Sequence, residues 1–517
     1  MRSFPEFRPA PALLSLLTLA AGASLPAQDF NGDFYPDLVL GVPAEDIGVQ
    51  VECGAVSILY GSRDGITSTN NQFIHQDKGG MIDIAEAGDS FGYAVAWGDF
   101  DNNGFDDLAV GIPSEDVGAV ADAGAIAIIY GGFSGLDTNH NQWIHRDTFG
   151  VIGFATAGSQ FGYALASGDF NGDGWADLAV GTPYDDVTGA DDGSINIFYG
   201  GLGGLAITGN QYFTQSALGG GETSQPGDRF GYSLVAGNMT SLFYCDLAIG
   251  VPGEDQSIFF FSRTDSGGVN VMYGTPSGLS AEGSQFWNQD SAGVADGAED
   301  YDYFGTVLSH GDLDGNGIQD LVVGVPNEDY GTIVDAGAVV IIYATVNGLD
   351  GANSQVWNEP SFGASTSADP YDYFGCALAA GNFNTSYPMD LAIGVKGADW
   401  GSIVDGGIVR VMFGAFGGLT TSGSQLWAQD SFAVPDKVEA WDWFGNSLAA
   451  VDFNLNGSTD LVVGVYGETI GGNTEAGAVH VMYGPLSAPT HQFWHQNSTG
   501  IRDASEFYDH FGSAMSH

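Results

Sequence analysis

One segment recurs along this chain at a nearly constant interval, and it restricts the fold more than any other feature. It begins with Asp-Leu and continues as a short apolar run, as in DLAVGIP from Asp107. Seven copies start at Asp37, Asp107, Asp177, Asp246, Asp320, Asp390 and Asp460, so that successive copies lie 70, 70, 69, 74, 70 and 70 residues apart. A period this regular indicates one array of repeats, not the separate domains that 517 residues would otherwise predict.

A Phe-Gly pair also occurs seven times, but it is out of phase with the Asp-Leu segment. The pairs start at Phe91, Phe161, Phe230, Phe304, Phe374, Phe444 and Phe511. No pair precedes the first Asp-Leu segment, and no Asp-Leu segment follows the last pair, in FGSAMSH. We therefore expect the C-terminal strand to join three N-terminal strands in one sheet, which closes a ring without open sheet edges.

Each repeat contains four segments of strand length bounded by Gly, Pro or Asn. In the second repeat these are strand A in FGYAVAW, strand B in DLAVGIP, strand C from Gly124 to Gly131 and strand D from Asn141 to Asp147. Four strands per repeat predict an all-β fold, a seven-bladed β-propeller of four-stranded blades whose N-terminal blade is completed by the C-terminal strand. An open solenoid is the alternative, and the split repeat argues against it.

The nine residues that join strands A and B carry oxygen-bearing side chains at alternate positions. In the second repeat Asp99, Asp101 and Asn103 precede a glycine, Phe105 would contribute its backbone carbonyl, and Asp107 ends the loop. Calcium takes six to eight oxygen ligands, and a tightly folded loop offers side chains at every second residue. Ordinary Asp/Asn turns are the alternative, but three carboxylates in so small a space repel one another unless a cation lies among them. The pattern therefore predicts calcium sites.

Five of the seven loops keep this pattern, and the number of carboxylates ranks them. Three loops combine three carboxylates with the glycine: Asp99, Asp101, Asn103, Phe105 and Asp107; Asp169, Asn171, Asp173, Trp175 and Asp177; Asp312, Asp314, Asn316, Ile318 and Asp320. The loop of Asp29, Asn31, Asp33, Tyr35 and Asp37 has Phe34 in place of the glycine, and the loop of Asp452, Asn454, Asn456, Ser458 and Asp460 has two carboxylates and is expected to bind calcium most weakly. The remaining two loops are predicted to be metal-free turns: Asn238, Thr240, Leu242 and Asp246; Asn382, Asn384, Ser386 and Asp390.

The Phe-Gly pair, the acidic loop, D-L-x-x-G-x-P and G-A-x-x-x-x-Y-G together resemble the FG-GAP repeats of integrin α-subunit propellers and of secreted bacterial integrin-like proteins. The resemblance covers essentially all of the chain that follows the N-terminal segment. It implies calcium loops on one face of the propeller, here called the lower face, and ligand recognition on the opposite, upper face.

The connections between strands B and C should reach the upper face, and they are acidic. Five of them contain paired acids: Glu45 and Asp46, Glu115 and Asp116, Asp185 and Asp186, Glu254 and Asp255, Glu328 and Asp329. A further acid often follows, as at Asp122, Asp192, Asp335 and Asp405. These acids either cap turns and keep the protein soluble, or form a cation-attracting rim for a basic ligand or an additional metal.

The connections between strands D and A should reach the same face, and they differ between early and late repeats. Three residues before Phe-Gly the early repeats have Gly88, Gly158 and Gly227, whereas the late repeats have Tyr301, Tyr371, Trp441 and Tyr508. One residue before Phe-Gly the late repeats have Tyr303, Tyr373, Trp443 and His510. On an extended segment, residues two apart point the same way, so each pair should form one aromatic surface. These rings either pack between blades or form a ligand site suited to a glycan or a cationic peptide.

Charge and the N-terminus indicate where the protein acts. Eleven basic and 64 acidic residues give a net charge of −53, which makes nucleic acid and anionic membranes poor partners because both would be repelled. Arg2 and Arg8 precede an apolar run that is too short to span a bilayer, followed by small residues. We therefore expect residues 1–27 to be a signal peptide, cleaved after Ala23 or Ala27, and residues 28–517 to form the propeller. The protein should then be secreted or on the cell surface.

No nucleophile elbow, zinc-binding histidine pair or phosphate-binding glycine loop is found in the sequence. The three cysteines, Cys53, Cys245 and Cys376, lie in different repeats and are expected to be small buried residues rather than disulfide partners. These features predict a monomeric calcium-binding adhesion module for an extracellular protein or glycan, without enzymatic activity. A propeller-type glycan hydrolase or lyase is the alternative, since acids on one face could act as an acid/base pair.

Overall fold

A computed structural model describes residues 28–219, 222–240, 243–258, 261–363, 368–431 and 434–515. The predicted signal peptide, residues 1–27, and Leu242 of the fourth loop lie outside these described residues. The described chain forms seven four-stranded antiparallel sheets, so the predicted seven-bladed β-propeller is confirmed.

The blades follow one another along the chain, and only the first combines strands from both ends. Blade 1 contains β1 (Leu38–Val42), β2 (Ala55–Tyr60), β3 (Thr67–Ile74) and the last strand, β30 (Ala514–Met515). Blade 2 contains β4 (Ala94–Gly98), β5 (Asp107–Ile112), β6 (Ala125–Tyr130) and β7 (Asp137–Ile144). Blade 3 contains β8 (Leu165–Gly168), β9 (Asp177–Thr182), β10 (Ser194–Tyr199) and β11 (Ala206–Phe213). Blade 4 contains β12 (Leu234–Gly237), β13 (Asp246–Val251), β16 (Gly268–Thr275) and β17 (Gly278–Trp287).

The later blades repeat the same order. Blade 5 contains β18 (Val307–Gly311), β19 (Asp320–Val325), β20 (Ala338–Thr345) and β21 (Gly348–Trp357). Blade 6 contains β22 (Phe374–Gly381), β23 (Asp390–Val395), β24 (Ile408–Ala415) and β25 (Gly418–Trp427). Blade 7 contains β26 (Phe444–Val451), β27 (Asp460–Val465), β28 (Ala478–Tyr483) and β29 (Thr490–Trp494). A hairpin of β14 (Gln256–Ile258) and β15 (Phe261–Arg263) lies in the B–C connection of blade 4, and two short 3₁₀ helices, Gln215–Ala217 and Glu359–Phe362, follow strand D of blades 3 and 5.

The ring closes through the C-terminal strand, as the split repeat predicts. Leu40 pairs with Met515 and Gly41 pairs with Ala514 in antiparallel register. The innermost strands contact one another in the order of the blades, and β30 contacts both β26 of blade 7 and β4 of blade 2. Every blade therefore has a neighbour on both sides, and the two ends of the described chain lie in one sheet.

The Phe-Gly pair joins neighbouring blades, which the sequence did not predict. Strand A was expected to begin at this pair, and it does so in blades 6 and 7, at Phe374 and Phe444. In blade 2, however, β4 begins three residues later, at Ala94. Phe91 instead pairs with Gly54 of blade 1, and its N–H donates to the Cys53 carbonyl at 2.8 Å. Its ring is fully buried among apolar side chains of blades 1 and 2. The following glycine has φ of +92°, and a Cβ there would lie 2.4 Å from the Ala55 carbonyl oxygen, so only glycine fits.

The strand boundaries also differ from the prediction at strand D. In blade 2 this strand spans Asp137–Ile144, so it begins four residues before the predicted Asn141 and ends three residues before Asp147. Strand D is the outermost strand, and its half-exposed, polar first half lacks the apolar alternation that marks a strand.

The three cysteines are free, with Cys53 buried and the other two half-buried. In the described part of the chain, no helix has the length and apolar character needed to cross a bilayer.

Candidate metal centres and the upper face

The five acidic A–B loops share one hydrogen-bonded framework. In blade 2 the Asp99 carboxylate accepts the N–H groups of Asn103 and Gly104, both at 2.9 Å. Asp101 accepts the Asn103 N–H at 3.1 Å, and Asn103 accepts the Phe105 N–H at 2.8 Å. The same bonds from the third and fifth loop positions recur at Asn31 and Asp33, Asn171 and Asp173, Asp314 and Asn316, and Asn454 and Asn456. The alternating pattern therefore builds one local structure in all five loops.

Two of the five loops bring three carboxylates together. Oxygens of Asp99, Asp101 and Asp107 lie within 4.8 Å of one another, and so do oxygens of Asp312, Asp314 and Asp320. The sequence ranked the loop of Asp169 equally, but among the described residues its three carboxylates do not meet this distance. An asparagine stands at its third position, and its third carboxylate is at the fifth. The position of the acids, and not only their number, thus determines how tightly they converge.

The last aspartate of the loop has a structural role that the sequence analysis did not identify. In blade 2 it is fully buried, and its two oxygens accept the N–H groups of Gly131 at 2.9 Å and of Phe100 at 2.8 Å. The same two bonds, to the end of strand C and to the second loop residue, are made by Asp37, Asp177, Asp246, Asp320, Asp390 and Asp460. This aspartate therefore ties strands B and C to the loop in every blade, including blades 4 and 6, whose loops have lost the other acids.

Burial makes this aspartate costly to ionise. Burial, with repulsion by Asp101 and Asp99, raises the pKa of Asp107 to about 8. Burial also raises the pKa of Asp460 to about 8 and the pKa values of Asp177 and Asp320 to about 7. A divalent cation among these oxygens would offset both the burial and the repulsion, and a donor set made only of oxygen suits a hard cation. The residues of the five loops therefore fit calcium.

In the two loops without the acid pattern, a neutral donor contacts the last aspartate instead. The Thr240 hydroxyl donates to Asp246 at 2.9 Å, and the Asn384 side-chain amide donates to Asp390 at 3.1 Å. A hydrogen-bond donor beside the carboxylate is the neutral substitute for a cation. These contacts favour the prediction that both loops are metal-free turns.

The first loop contains Phe34 at a backbone position that favours glycine. Its φ is +75°, in the left-handed region, and 66% of its surface is exposed. The other four loops place Gly104, Gly174, Gly317 and Gly457 at this position, with φ between +87° and +88°. A bulky residue in this region costs about 1–2 kcal/mol, and the exposed ring makes little compensating contact.

Phe34→Gly is therefore expected to raise the calcium affinity of the first loop by up to about tenfold, because the relaxed backbone no longer opposes the bound conformation. Calcium titration by isothermal calorimetry would measure it. Phe149→Ala, which removes a fully exposed ring from the connection between blades 2 and 3 on the upper face, is the control. An affinity unchanged by Phe34→Gly would show that this backbone position does not limit binding.

On the upper face, the second acid of each B–C pair caps a turn. Asp116 accepts the Asp122 N–H at 2.9 Å, and the equivalent bond is made by Asp46, Asp186, Asp255, Asp329 and Asp399. The turn-capping interpretation is thus confirmed for the second acid of the five pairs. Asp399, which follows Ala398 and was not part of a predicted pair, makes the same bond.

The aromatic residues of the late repeats are exposed on this face. Between 52% and 54% of the surface of Tyr301, Tyr371, Trp441 and Tyr508 is accessible, and the rings nearest to Phe-Gly are half-buried. About half of each outer ring is therefore left uncovered by neighbouring residues, whereas the inner ring of His510 stacks on Tyr466 with centroids 3.8 Å apart. The expected extended backbone is wrong, because Tyr301 has φ of +72° and Tyr303 has φ of +54°. Their rings are still neighbours, with centroids 6.3 Å apart.

This left-handed backbone explains the glycines of the early repeats. Gly88, Gly158 and Gly227 occupy the same position with φ between +77° and +94°. An aromatic residue there costs about 1–2 kcal/mol relative to an unstrained position, and strain of this kind concentrates at functional sites. Stability alone therefore favours glycine at four positions where the late repeats have tyrosine or tryptophan.

A wide opening on the upper face lies between blades 6 and 7. It has a volume of about 1020 Å³, and its lining includes Tyr371, Tyr373, Lys396, Asp405, Trp443 and Tyr466. The Lys396 ammonium lies 5.4 Å from the Tyr373 ring centroid. The groove thus combines aromatic faces with one cation and nearby carboxylates.

The early repeats have an aromatic cluster that the sequence analysis missed. Tyr163 contacts Tyr93 and Tyr232, with centroids 4.9 Å and 5.0 Å apart, and also contacts Tyr184 at 5.7 Å. The signal was present in the sequence, because a tyrosine follows Phe-Gly only in repeats with glycine three residues before it. The two halves of the upper face are therefore differently built.

Comparison with protein families agrees with this architecture. The FG-GAP repeat model matches residues 21–59, 91–129, 161–198, 304–342 and 444–482. These five matches cover the repeats with the acidic loops and omit blades 4 and 6. The chain belongs to the FG-GAP repeat family of integrin-like β-propellers.

Curated relatives match part of this chain. Integrin alpha-PS2 of Drosophila melanogaster is 32% identical over 252 residues, which are 47% of this chain and 16% of that protein. Integrin alpha-5 of Xenopus laevis is 31% identical over 247 residues, covering 47% of this chain and 20% of that protein. The phosphatidylinositol-glycan-specific phospholipase D of Bos taurus is 30% identical over 182 residues, covering 35% of this chain and 20% of that protein. The matched region is thus about a fifth or less of each relative.

Among solved structures, a rhamnogalacturonan lyase of Bacillus licheniformis can be aligned with this chain. The alignment covers 91% of this chain and 77% of the lyase chain, with 11% sequence identity and a TM-score of 0.31. No inference about activity follows from that likeness.

Proposed function

We propose that this chain is an extracellular binding module, stabilised by calcium on its lower face, that captures a protein or glycan with the aromatic half of its upper face. The observation that carries the proposal is the exposure of Tyr301, Tyr371, Trp441 and Tyr508 at left-handed backbone positions. Four adjacent blades accept a conformational cost that does not benefit packing, and binding a ligand is a reason to keep it.

The composition of the groove between blades 6 and 7 supports this choice of ligand. Flat aromatic faces such as those of Tyr373 and Trp443 stack on sugar rings or contact cationic groups, while carboxylates and Lys396 supply directional hydrogen bonds. The charge of −53 disfavours nucleic acid and anionic membranes as ligands.

Calcium would be held by the oxygens of the five acidic loops, and its proposed role there is structural. From the first loop to the seventh, each loop is linked to the next, because the backbone carbonyl of its first residue accepts the N–H of the eighth residue in the next loop. Examples are Asp29 with Asp106 at 3.1 Å and Asp99 with Ala176 at 3.2 Å. A cation that stabilises one loop thereby also supports its neighbour. The integrin relatives and the predicted signal peptide support a place outside the cell or on its surface. We further propose that the chain acts there as a monomer.

A glycan and matrix-protein array would test the binding function. We expect the protein to capture at least one probe, and the triple variant Tyr301→Ala, Tyr371→Ala, Trp441→Ala to bind it about 100-fold more weakly, since each desolvated ring contributes about 1 kcal/mol or more. Phe133→Ala with Phe416→Ala is the matched control, because these exposed aromatics lie on the lower face and contact Phe105 and Tyr387 of two A–B loops. Equal capture by the triple variant, with an unchanged melting temperature, would contradict the proposed binding surface.

Catalysis on a glycan is the second candidate, because Asp369, Asp399 and Asp405 line the same groove. Turnover of every captured glycan should be measured beside binding. Product release that Asp399→Asn abolishes while capture persists would identify an enzyme.

A further inference from the structure

A second set of acidic residues lies between blades on the upper face. Two residues after the last apolar residue of strand D, a glutamine side chain reaches the first acid of the next blade's B–C connection. Gln76 donates to Glu115 at 2.8 Å, and Gln289 donates to Glu328 at 2.6 Å. The same contact joins Gln215 with Glu254, Gln429 with Glu468, and Gln496 with Glu45 across the closure of the ring.

Each glutamine–glutamate pair is accompanied by two more acids from the D–A connection that follows the glutamine. One lies eight residues and the other two residues before the next Phe-Gly pair, as Asp83 and Asp89 do before Phe91. Across the ring closure they are Asp503 and Asp509, and Gln496 donates to Asp503 at 2.9 Å as well as to Glu45. Burial raises the pKa values of Glu45 and Glu115 to about 10, and the neighbouring Asp503 and Asp83, respectively, add to this effect. We call these five sets the interblade clusters: Gln76, Asp83, Asp89 and Glu115; Gln215, Glu222, Asp228 and Glu254; Gln289, Asp296, Asp302 and Glu328; Gln429, Asp436, Asp442 and Glu468; Gln496, Asp503, Asp509 and Glu45.

At the other two blade interfaces a buried arginine replaces this arrangement. Between blades 2 and 3, Arg146 stands at the glutamine position and forms an ion pair with Asp185 at 2.5 Å. Both remaining acids are absent there, because Gly153 and Ser159 occupy their positions. The Arg146 and Asp185 side chains are only 3% and 6% exposed.

Between blades 5 and 6 the arginine comes from a different position, but it again forms a buried ion pair with a carboxylate. Glu359 stands at the glutamine position and accepts from Arg410 of strand C, whose Nε lies 3.1 Å from one carboxylate oxygen. Ala398 replaces the first acid of the B–C connection, and threonine stands in the sequence at position 366, which lies outside the described residues. Wherever the chain supplies its own cation, it has lost carboxylates. The five interfaces without arginine have kept all three acids.

The glutamines of the five clusters also have an unsatisfied oxygen. The five residues are at most 1% exposed, so water does not reach their Oε1 atoms, and these atoms accept no hydrogen bond from the protein. Glu254 Oε1 and Asp509 Oδ1 are buried and unpaired in the same way. A buried acceptor without a donor costs about 1–3 kcal/mol, so five such atoms at equivalent positions require an explanation. Burial, with repulsion by the neighbouring acids, also raises the pKa values of Glu328 and Glu468 to about 9.

We propose that each interblade cluster binds one calcium ion, at the place that an arginine guanidinium occupies in the other two interfaces. The donors would be the three carboxylates and the glutamine Oε1. The glutamine side-chain amide would have to rotate so that Oε1, instead of Nε2, faces the ion. A set made only of oxygen suits calcium. The half-buried acids, such as Asp83 and Asp503, leave a route to solvent. These sites are separate from the A–B loops, and they would join neighbouring blades directly.

Counting bound calcium tests the proposal. In the purified full chain, five changes, Glu45→Gln, Glu115→Gln, Glu254→Gln, Glu328→Gln and Glu468→Gln, should reduce the calcium retained in equilibrium dialysis at 1 mM free ion by about five ions per chain. The matched control changes the next residue in four of the same connections, Asp46→Asn, Asp116→Asn, Asp255→Asn and Asp329→Asn, and should retain the wild-type number. An unchanged count in the glutamate variant would show that the clusters hold protons instead and would overturn the proposal.

A grafted interface covers the case in which the fivefold variant does not fold. The triple variant Gln289→Arg, Asp296→Gly, Asp302→Ser copies the interface between blades 2 and 3 into the interface between blades 4 and 5. We expect one calcium ion fewer and a smaller loss of melting temperature on chelation than in wild type. Loss of no ion would contradict the proposal, whatever happens to the lower-face sites or to ligand capture.

Discussion

Chelation of calcium is expected to lower the melting temperature of this protein by roughly 5–10 °C. Extracellular calcium modules bind with dissociation constants of about 10⁻⁴–10⁻³ M, so at millimolar calcium each lower-face site adds on the order of 1 kcal/mol to the free energy of unfolding. Five sites together are comparable to the ~5–15 kcal/mol net stability of a domain. The effect should be cooperative along the lower face, because each of the first six loops is bonded to the next one. At the ring closure this bond is missing, because Pro36 has no N–H.

Calorimetric melts in EDTA and in 1 mM calcium would measure this effect. Asp99→Asn with Asp101→Asn should reduce the difference between the two melts, since these residues belong to one of the two converging carboxylate sets. The matched control is Asn382→Ala with Asn384→Ala in the loop predicted to be metal-free, which should leave the difference unchanged. Identical melts of the wild-type protein with and without calcium would contradict a structural role for the ion.

Phe511→Ala is expected to lower the free energy of unfolding by about 3–5 kcal/mol, the largest effect of any single substitution considered for this chain. Its ring is fully buried among apolar side chains of blade 1, such as Leu40, and of blade 7, such as Val479. The residues after it form β30, which pairs with β1 and completes the first blade. The substitution therefore leaves a cavity at the one place where the ring is closed without continuous chain.

Urea unfolding would measure this loss. Phe507→Ala, four residues earlier and 59% exposed, is the control and should change the free energy of unfolding by less than about 0.5 kcal/mol. If both variants were equally stable, the closure of the ring through the C-terminal strand would contribute little to the stability of the fold.

Much of the lower face could be predicted from the sequence, because each loop is a local structure. The side chains that shape the loop of blade 2 lie within nine residues of one another, and their alternation appears directly as Asp99, Asp101 and Asn103. The prediction was incomplete at Asp107, which was assigned only to calcium. Its bond to Gly131 spans 24 residues, and no local pattern distinguishes this structural bond from metal ligation.

On the upper face the aromatic residues were found but their geometry was not. The difference between Gly88 and Tyr301 is visible in aligned repeats, and the inference from it assumed an extended backbone. The left-handed conformation arises because the Tyr301 N–H bonds to the Thr264 carbonyl of a neighbouring connection, 37 residues away. Such a contact exists only after the blades have assembled.

By itself, the sequence determined the number of repeats, the four strands of each blade, the closure of the ring and the acidic loops, because these depend on periodicity and on residues close together in the chain. Only the tertiary structure decided what lies between the blades. Phe91 fills one interface, Glu45 meets Gln496 across the closure of the ring, and Arg146 replaces a cluster of carboxylates. The physical reason is that burial and unpaired charge are properties of surfaces that meet, and these surfaces come from different repeats.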